Sequence, residues 1–268
     1  MKDFVAWNFS RAGRRMSRAD AYFVSFPKSG RTWVRVFYHA YLAKLSGREF
    51  SLDADAFPEH PRLFFTHDRW EHQRLPGRWN FIRGRHLIPP KERLNKKIIL
   101  MARDPRDVIV SLYFHLSKRP HDFRWTPQPM NEMLRDPAFG IGHIIELMNG
   151  WLAEWHGRPN FKLLRYRDCK ADAAGEFGKL LEFLGLSPVN DAALAYALEF
   201  SSFENMQARE ASGTFREDVL SAGNPEDAES FKTRRGKVGG FIDYFSPEDL
   251  AFTREAMKKL DSRFGFAA

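Results

Sequence analysis

The residues best suited to chemistry stand in the string Ser-Phe-Pro-Lys-Ser-Gly-Arg-Thr-Trp, residues 25–33. Lys28 supplies a cation, and Ser29 and Thr32 supply hydroxyl donors. An aromatic and β-branched strand precedes Gly30, where the backbone can turn, and an amphipathic run with helical spacing follows. The first turn of such a helix presents unpaired N–H groups and a partial positive charge. The string therefore predicts a site for a phosphate group.

The spacing of this string differs from that of the common phosphate loop. Gly-x-x-x-x-Gly-Lys-[Ser/Thr] needs a lysine directly after a glycine, whereas Lys28 stands before Gly30. Taken alone, Lys-Ser-Gly is equally compatible with an ordinary strand-to-helix turn that carries a solvated lysine. Other parts of the chain are needed to choose between these interpretations.

Two further strings combine basic residues with a strand end or a glycine turn. In residues 102–111, Arg103 leaves a predicted strand and Ser111 lies in the helix that follows, so both can approach a phosphate at the mouth of a sheet. A structural ion pair between Arg103 and Asp107 is the alternative. Residues 231–240 form a basic segment with glycines, a composition that on charge alone is typical of a solvated loop.

The elements that must position these residues alternate along the chain. Apolar runs predict strands over residues 22–26, 61–66, 97–102 and 161–166. Helical patterns cover residues 31–45, 104–115, 172–184, 191–200 and 247–260. This alternation predicts an α/β fold with a central parallel sheet flanked by helices. Because the sequence contains no repeat and no linker, we expect one domain over residues 1–268, with an N-terminal extension over 1–20.

Two segments show no clear period. Residues 68–96 are rich in Arg, Trp and Pro, and we expect them to supply surface rather than framework. Residues 207–240 gather Arg, Lys and Gly, which predicts a mobile loop.

The composition limits the class of protein. Hydrophobic residues make up 43% of the 268 residues, which is typical of a globular chain with a substantial core. The formal charge of +8 indicates an anionic partner. The single cysteine, Cys169, excludes an internal disulfide and a cysteine metal cluster, which favours a reducing, cytoplasmic location. No stretch approaches the roughly 20 apolar residues of a membrane span, so no transmembrane segment is expected.

Taken together, the strings resemble the sulfotransferases that use 3′-phosphoadenosine 5′-phosphosulfate (PAPS) and release 3′-phosphoadenosine 5′-phosphate (PAP). Residues 25–33 resemble the family's P-loop-like 5′-phosphosulfate loop, and residues 102–111 resemble its 3′-phosphate motif. Residues 231–240 look like the late Arg-Lys-Gly loop that clamps the 3′-phosphate. Tyr166 is similar to the tyrosine that faces the adenine, and residues 201–206 resemble the family's Thr-Ser-Phe segment. The matches follow the family's order over nearly the whole chain.

The resemblance implies roles for the matched residues. His67 would accept the proton of the acceptor hydroxyl, Lys28 would stabilise the leaving phosphate, and Ser111 would restrain the lysine until the acceptor is bound. Trp33 and Phe203 would sandwich the adenine. The residues implied in binding PAPS are Lys28, Ser29, Gly30, Arg31, Thr32, Trp33, Arg103, Ser111, Tyr166, Ser201, Phe203, Arg234, Arg235 and Gly236. The family needs no metal ion, and the sequence shows no cluster at metal-ligand spacing.

His67 also suits its role on chemical grounds. It follows a predicted strand, where α/β sheets keep their functional groups, and imidazole accepts protons near neutral pH. The sequence departs from the family's pattern directly after it, because Asp68 and Arg69 replace the usual Leu-Pro. A second departure is Gly-Phe-Ile at residues 240–242 in place of Asp-Trp-Lys.

The residues around His67 carry the prediction for the acceptor. Residues 62–97 contain ten Lys or Arg against three acids, with Trp70, Trp79 and Phe81 between them. A pocket for a small phenol is expected to be mainly apolar, so this mixture predicts a saccharide or an anionic alcohol as acceptor. A solvated face is the alternative.

Two other functions stay open at this point. One is a catalytically silent module that binds PAP or a polyanion, and the other is a phosphoryl-transferring kinase of the P-loop type. Nucleic-acid binding is not expected, because the basic residues are scattered and no recognition motif is present. The oligomeric state is left open.

Overall fold

One parallel sheet forms the centre of the protein. The computed structural model describes residues 15–72, 86–119, 126–213, 224 and 226–267. Its strands are β1 (Ala21–Ser25), β2 (Leu63–Thr66), β3 (Lys97–Ala102) and β4 (Phe161–Arg165), in the order β2-β1-β3-β4. Val24 lies opposite Thr66 of β2 and Leu100 of β3. The carboxyl ends of all four strands therefore meet at one edge of the sheet, and the predicted α/β fold is confirmed.

Helices cover the sheet. In chain order they are α1 (Arg31–Ser46), α2 (Arg69–His72), α3 (Pro90–Asn95), α4 (Pro105–Lys118), α5 (Met130–Arg135), α6 (Ile141–Trp155), α7 (Tyr166–Ala171), α8 (Ala173–Leu184), α9 (Asp191–Phe200), α10 (Phe203–Ala211) and α11 (Pro247–Met257). Asp104 caps α4 by accepting the N–H of Arg106 at 2.9 Å, as Asp before Pro at a helix start predicts. Of the helices that the structure describes, none is long and apolar enough to cross a bilayer.

The core consists of two apolar layers, one on each face of the sheet. Successive strand residues point to opposite faces, so Tyr22 packs in the layer that contains α6 and Phe23 packs in the layer that contains α1 and α8. Trp151 and Trp155 are the largest side chains that α6 contributes, and both are fully buried. Burial on both faces explains why the strands are almost continuously apolar.

Three features differ from the sequence-based expectation. Helices α5 and α6 were not predicted, although the buried residues of α6 recur at helical spacing. Strand β4 ends at Arg165, so Tyr166 begins helix α7 rather than ending the strand. The last helix ends at Met257, three residues earlier than predicted.

The expectation that residues 68–96 supply only surface is wrong at both ends of that segment. Arg69, Trp70 and His86 are each at most 5% exposed, and helices α2 and α3 form part of the segment. Residues 73–85 lie outside the described residues. These buried polar side chains belong to the framework around the proposed base.

The predicted loop over residues 207–240 overlaps the end of helix α10. Helix α10 continues to Ala211, and residues 226–240 fold back against α4 and α10 through backbone hydrogen bonds to buried carboxylates. Residues 214–223 lie outside the described residues. In the predicted N-terminal extension, Met16 and Ala19 are buried in the core, and residues 1–14 lie outside the described part.

Candidate active site

The turn between β1 and α1 forms a cradle at the edge of the sheet. Lys28 and Gly30 both adopt positive φ, at 70° and 105°. A Cβ atom on Gly30 would lie 2.8 Å from Met101 Cε and 2.9 Å from Tyr166 Cδ2. Only glycine fits this position, because the φ is unfavourable for other residues and the space is already filled. The turn brings the unpaired N–H groups at the start of α1 to the surface of a cavity.

That cavity has a volume of about 460 Å³ and lies beyond the carboxyl ends of the strands. The predicted site residues on its lining are Lys28, Gly30, Arg31, Thr32, Trp33, His67, Arg103, Ser111, Tyr166, Ser201, Phe203, Arg234, Arg235 and Gly236. Ser29 is 1% exposed and is absent from this lining. The structure therefore brings together side chains that are spread over more than 200 residues of sequence.

His67 follows β2 and enters the cavity with one ring nitrogen already committed. Its Nδ1 lies 2.8 Å from the carbonyl oxygen of Ser25. Because a carbonyl only accepts, Nδ1 carries the proton and Nε2 keeps a free lone pair. Burial lowers the pKa of His67 well below its usual value, and the charges of Arg31 and Lys28 lower it further. The imidazole is therefore neutral at physiological pH, which is the form that accepts a proton.

Lys28 is held in a positively charged environment. Burial lowers the pKa of its ammonium group to about 7, and the nearby Arg119 and Lys232 act in the same direction, against the opposing charge of Glu210. A cation in such a place lacks compensating negative charge. A bound anion would supply that charge and keep the lysine protonated.

Arg103 connects the cradle between β1 and α1 to the late basic loop, residues 231–241. Its guanidinium donates to the carbonyl oxygens of Lys28 and Lys237, both at 3.1 Å, and stacks 4.5 Å from the centroid of the Tyr166 ring. The alternative considered above, an ion pair with Asp107, is therefore wrong: Arg103 binds the backbone instead. These contacts fix the guanidinium plane next to the cavity.

Two buried carboxylates hold the late basic loop, which comprises residues 231–241. Asp107 accepts the backbone N–H groups of Gly239 at 2.8 Å and Phe241 at 3.1 Å. Glu210 accepts those of residues 232 and 233 at 2.6 and 2.9 Å. Glu210 was not predicted from the sequence, where its only local signal is its place four residues after the buried Met206 on α10. The two carboxylates fix the loop at both ends.

The arginines of this loop face the cavity while paired with acids and a tyrosine. Arg234 donates to Glu229 at 2.7 Å and to the Tyr244 hydroxyl at 2.5 Å. Arg235 donates to Asp243 at 2.6 Å. An anion that binds here must compete with these carboxylates or share the guanidinium groups with them.

Aromatic side chains form another part of the cavity lining. The ammonium group of Lys170 lies 5.9 Å from the ring centroids of both Trp33 and Phe203. Gly236, with a φ of 59°, approaches Phe203 so closely that a Cβ would lie 2.8 Å from its ring. The hydroxyl of Ser201 donates to the carbonyl oxygen of Ala197 at 2.7 Å, so its oxygen is left to accept. Flat apolar faces with one cation are suited to a heterocyclic base.

Arg69 is one of the basic residues in 62–97 on which the acceptor prediction depends, but the cavity lining does not include it. This side chain is 4% exposed, and its guanidinium covers Gly150 of α6 so closely that a Cβ there would lie 1.3 Å from Nη1. Arg69 is therefore part of the core packing and not a ligand for an acceptor. Trp70 is buried and lines the cavity, whereas Trp79 and Phe81 lie outside the described residues.

The cavity also contains functional groups that the sequence analysis did not assign. They are Glu71, Asp107, His115, Lys170 and Lys232. Glu71 lies 3.7 Å from Arg31 and accepts the Thr66 hydroxyl at 2.5 Å. His115 stands four residues after Ser111 on α4, so both side chains project from the same face of that helix, and this spacing was available in the sequence.

Fold and site together define an α/β protein with a cavity that is lined by several cations and a histidine. The chain belongs to the sulfotransferase domain family, whose family model matches residues 18–265. The family resemblance inferred from the sequence is thus confirmed.

Individual relatives show how far the similarity reaches. Human sulfotransferase 2B1 is 30% identical over 168 residues, which cover 61% of this chain but only 44% of that protein. Flavonol 3-sulfotransferase from Flaveria bidentis is 25% identical over 92% of this chain and 82% of its own length. The crystal structure of mouse sulfotransferase SULT7A1 complexed with PAP covers 92% of this chain and 88% of its own, with a TM-score of 0.62 and 23% identity. At that identity the structural match establishes the fold.

Proposed function

We propose that the protein is a sulfotransferase that moves the sulfuryl group from PAPS to a hydroxyl of an acceptor. The observation that carries the proposal is the pairing, in one cavity, of a neutral histidine that has an unprotonated Nε2 with a half-buried lysine beside a helix N-terminus. A general base and a cation for the leaving group are the two parts that sulfuryl transfer to an alcohol needs.

The described residues fit PAPS as a substrate. The positive φ of Gly30 and the space around it let the backbone approach a phosphate, as a 5′-phosphosulfate requires. Arg103, Arg234 and Arg235 supply guanidinium groups for the 3′-phosphate, and Trp33 and Phe203 supply apolar faces for the adenine. The mouse sulfotransferase SULT7A1 binds PAP on the same fold, which supports this assignment.

Proton transfer and charge stabilisation fall to separate side chains in the proposed reaction. Nε2 of His67 takes the proton of the acceptor hydroxyl while its oxygen forms a bond to sulfur. The bond between sulfur and the phosphate oxygen breaks, and the negative charge that develops on that oxygen is stabilised by Lys28. Ser111, on the cavity wall, would restrain Lys28 until the acceptor is bound. Protein cations would supply the charge stabilisation that a metal ion supplies in many phosphoryl transferases.

The acceptor is proposed to be a saccharide or an anionic alcohol. Arg31 faces the cavity near His67, and Arg119 and Lys232 add positive potential beside Lys28. These cations favour an acceptor with hydrogen-bonding or negatively charged groups over a small apolar phenol. A cytoplasmic location is proposed as well, because relatives such as cytosolic sulfotransferase 14 of Arabidopsis thaliana carry that location in their name.

A screen with radiolabelled PAPS tests this function. Simple phenols, steroids, saccharides and anionic alcohols are incubated with the protein, and transfer of label to each is measured with and without the protein. We expect label on saccharides or anionic alcohols in preference to phenols. Efficient transfer to phenols alone would overturn the acceptor proposal, and PAP binding without transfer to any of the four classes would favour a silent binding module.

A further inference from the structure

The residue that follows the proposed base has an unusual backbone conformation. Asp68 has a φ of 40°, in the left-handed region that side chains other than glycine, asparagine and aspartate rarely adopt. It is completely buried. A strained residue beside a candidate base persists only where the surroundings determine its conformation.

The side chain of Asp68 is surrounded by hydrogen-bond donors. Its Oδ1 accepts the backbone N–H groups of Leu87 at 2.8 Å and Ile88 at 3.0 Å. Its Oδ2 accepts the indole N–H of Trp151 at 3.1 Å and a short hydrogen bond from Nδ1 of His86. Four donors thus fix one carboxylate between α6 and residues 86–88.

His86 connects this carboxylate to a second one. The ring is 5% exposed, and its Nε2 lies 2.6 Å from Glu154 of α6. Carboxylates only accept, so both ring nitrogens carry protons and His86 is an imidazolium ion. Burial lowers the pKa of His86, but the hydrogen bonds and charges of Asp68 and Glu154 raise it overall. Arg93 lies 2.9 Å from Glu154, and the four side chains therefore alternate in charge.

The backbone around Asp68 ties this network to His67. The N–H of Asp68 donates to the Thr66 hydroxyl at 2.8 Å, and the N–H of Trp70 donates to the carbonyl oxygen of His67 at 2.9 Å. These contacts close a tight turn whose first side chain is the imidazole. The conformation at residue 68 therefore determines where the chain leaves His67, and with it where the ring points.

We propose that Asp68, held by His86 and Glu154, is a positioning residue for His67. The buried charges stabilise the left-handed turn that directs Nδ1–H of His67 at the carbonyl oxygen of Ser25 and leaves Nε2 in the cavity. This inference rests on the proposed function, in which Nε2 is the base. A network with only a structural role would stabilise the fold but would affect neither the tautomer of His67 nor kcat.

Asp68→Asn is the most informative variant. Asparagine has the same shape and tolerates positive φ. Its NH₂ group would face the N–H donors of His86 and Trp151, from which it cannot accept hydrogen bonds. Because a displacement of about 1 Å at a reacting group can lower a rate about 100-fold, we expect kcat to fall between about tenfold and 100-fold. The dissociation constant of PAP should stay within about twofold, since the cradle is formed by other residues.

Two further variants separate positioning from folding. Glu154→Gln keeps an oxygen for His86 but removes the charge, and we expect a smaller fall of kcat, about threefold to tenfold. His39→Asn is the matched control, because His39, on helix α1, is also a buried histidine, 2% exposed, with its Nδ1 2.7 Å from the carbonyl oxygen of Ser51. It should lower stability while leaving kcat unchanged.

The tautomer of His67 gives a readout that does not depend on turnover. Nitrogen-15 NMR of the wild-type protein should show His67 protonated at Nδ1, and Asp68→Asn should populate both tautomers. Wild-type kcat in Asp68→Asn, or an unchanged His67 tautomer in that variant, would overturn the positioning role. If the wild-type protein sulfated no acceptor, the proposed function would fail, and the tautomer comparison would still decide the role of Asp68.

Discussion

The nucleotide side and the base side of the cavity are built in different ways. The nucleotide side uses backbone geometry: positive φ at Gly30 and Gly236, the start of α1, and guanidinium contacts of Arg103 to carbonyl oxygens. The base side uses buried charges. Asp68 accepts hydrogen bonds from His86 and from Trp151 of α6, which is 83 residues away in sequence. We therefore expect PAP binding to depend mainly on the conformation of the glycine turns, and the orientation of His67 to depend on a buried charge network.

This difference separates the expected effects of mutation. Changes in the turns should weaken PAP binding before they alter chemistry, because they move the atoms that face the phosphates. Changes near His67 should alter turnover while PAP binding is kept.

Gly30→Ala should abolish most of the affinity for PAP. At a φ of 105° an alanine is strained, and its Cβ would lie within 3 Å of Met101 and Tyr166. A strain of about 1–3 kcal/mol, together with displacement of the turn, should lower the affinity about 100-fold. Gly178→Ala is the control, because Gly178 lies within α8 with open space around it, and alanine there should raise stability by about 1 kcal/mol. Calorimetric titration with PAP measures the affinity of both variants. Equal affinities of Gly30→Ala and the wild-type protein would contradict the role of the cradle.

Gly236→Ala should be more harmful than Gly239→Ala. Both glycines have positive φ in the same loop, at 59° and 72°, so the backbone strain of alanine is similar. Only at Gly236 would the Cβ collide with a ring, that of Phe203. We expect PAP affinity to fall about tenfold further in Gly236→Ala. Similar losses of PAP affinity in the two variants would show that the close approach of Gly236 to Phe203 does not contribute to PAP binding.

The affinity for PAP should fall as the pH rises above 7. The pKa of Lys28 is lowered to about 7, so the ammonium loses its proton above that pH in the free protein, and binding of the anion must restore it. Phosphate groups are already fully ionised there, since their second pKa is about 6. We expect a loss of about eightfold from about pH 7.5 to about pH 8.5, with proton uptake in the calorimeter. Lys28→Arg, which stays charged, should flatten this dependence, and a flat wild-type profile would contradict it.

Asp243→Asn should raise the affinity for PAP slightly. Asp243 is exposed and lies 2.6 Å from Arg235 and 2.9 Å from Lys237, so its removal frees both cations for a phosphate. Because exposed ion pairs contribute little, the gain should be about twofold to threefold at low salt. Glu255→Gln removes an equal charge from the ion pair with Lys258 and should change nothing. A loss of PAP affinity in Asp243→Asn would mean that this carboxylate organises the loop instead of competing with PAP for Arg235 and Lys237.

The sequence predicted the nucleotide side because its signals are local. A strand, a glycine and a basic residue within ten positions define the turn at Gly30, and a strand followed directly by a basic residue and a helix start recurs at Arg103. The placement of His67 followed from the apolar run of β2, since parallel strands end at a common edge. All these positions line one cavity.

The rest could not be predicted from local patterns. Helix α6 is an exception, because its buried residues recur at helical spacing and this pattern was available in the sequence. The network of Asp68, His86 and Glu154 joins three distant segments, and each member looks like a solvated residue in sequence. Glu210 is a charge on a buried helix face, which is explained by the distant groups that donate to it: the backbone N–H groups of residues 232 and 233, the Thr233 hydroxyl and Arg119.

The central claim, that PAP binding and proton abstraction reside in different residues, is tested most directly in His67→Asn. The amide nitrogen of asparagine can replace Nδ1 as the donor to Ser25, while the base at Nε2 is lost. The measurement is the single-turnover rate of transfer from radiolabelled PAPS, with the dissociation constant of PAP determined on the same preparation. We predict a rate lowered by about 10²- to 10⁴-fold with PAP affinity within about twofold of wild type. A rate close to that of wild type, or a parallel loss of PAP affinity, would contradict it.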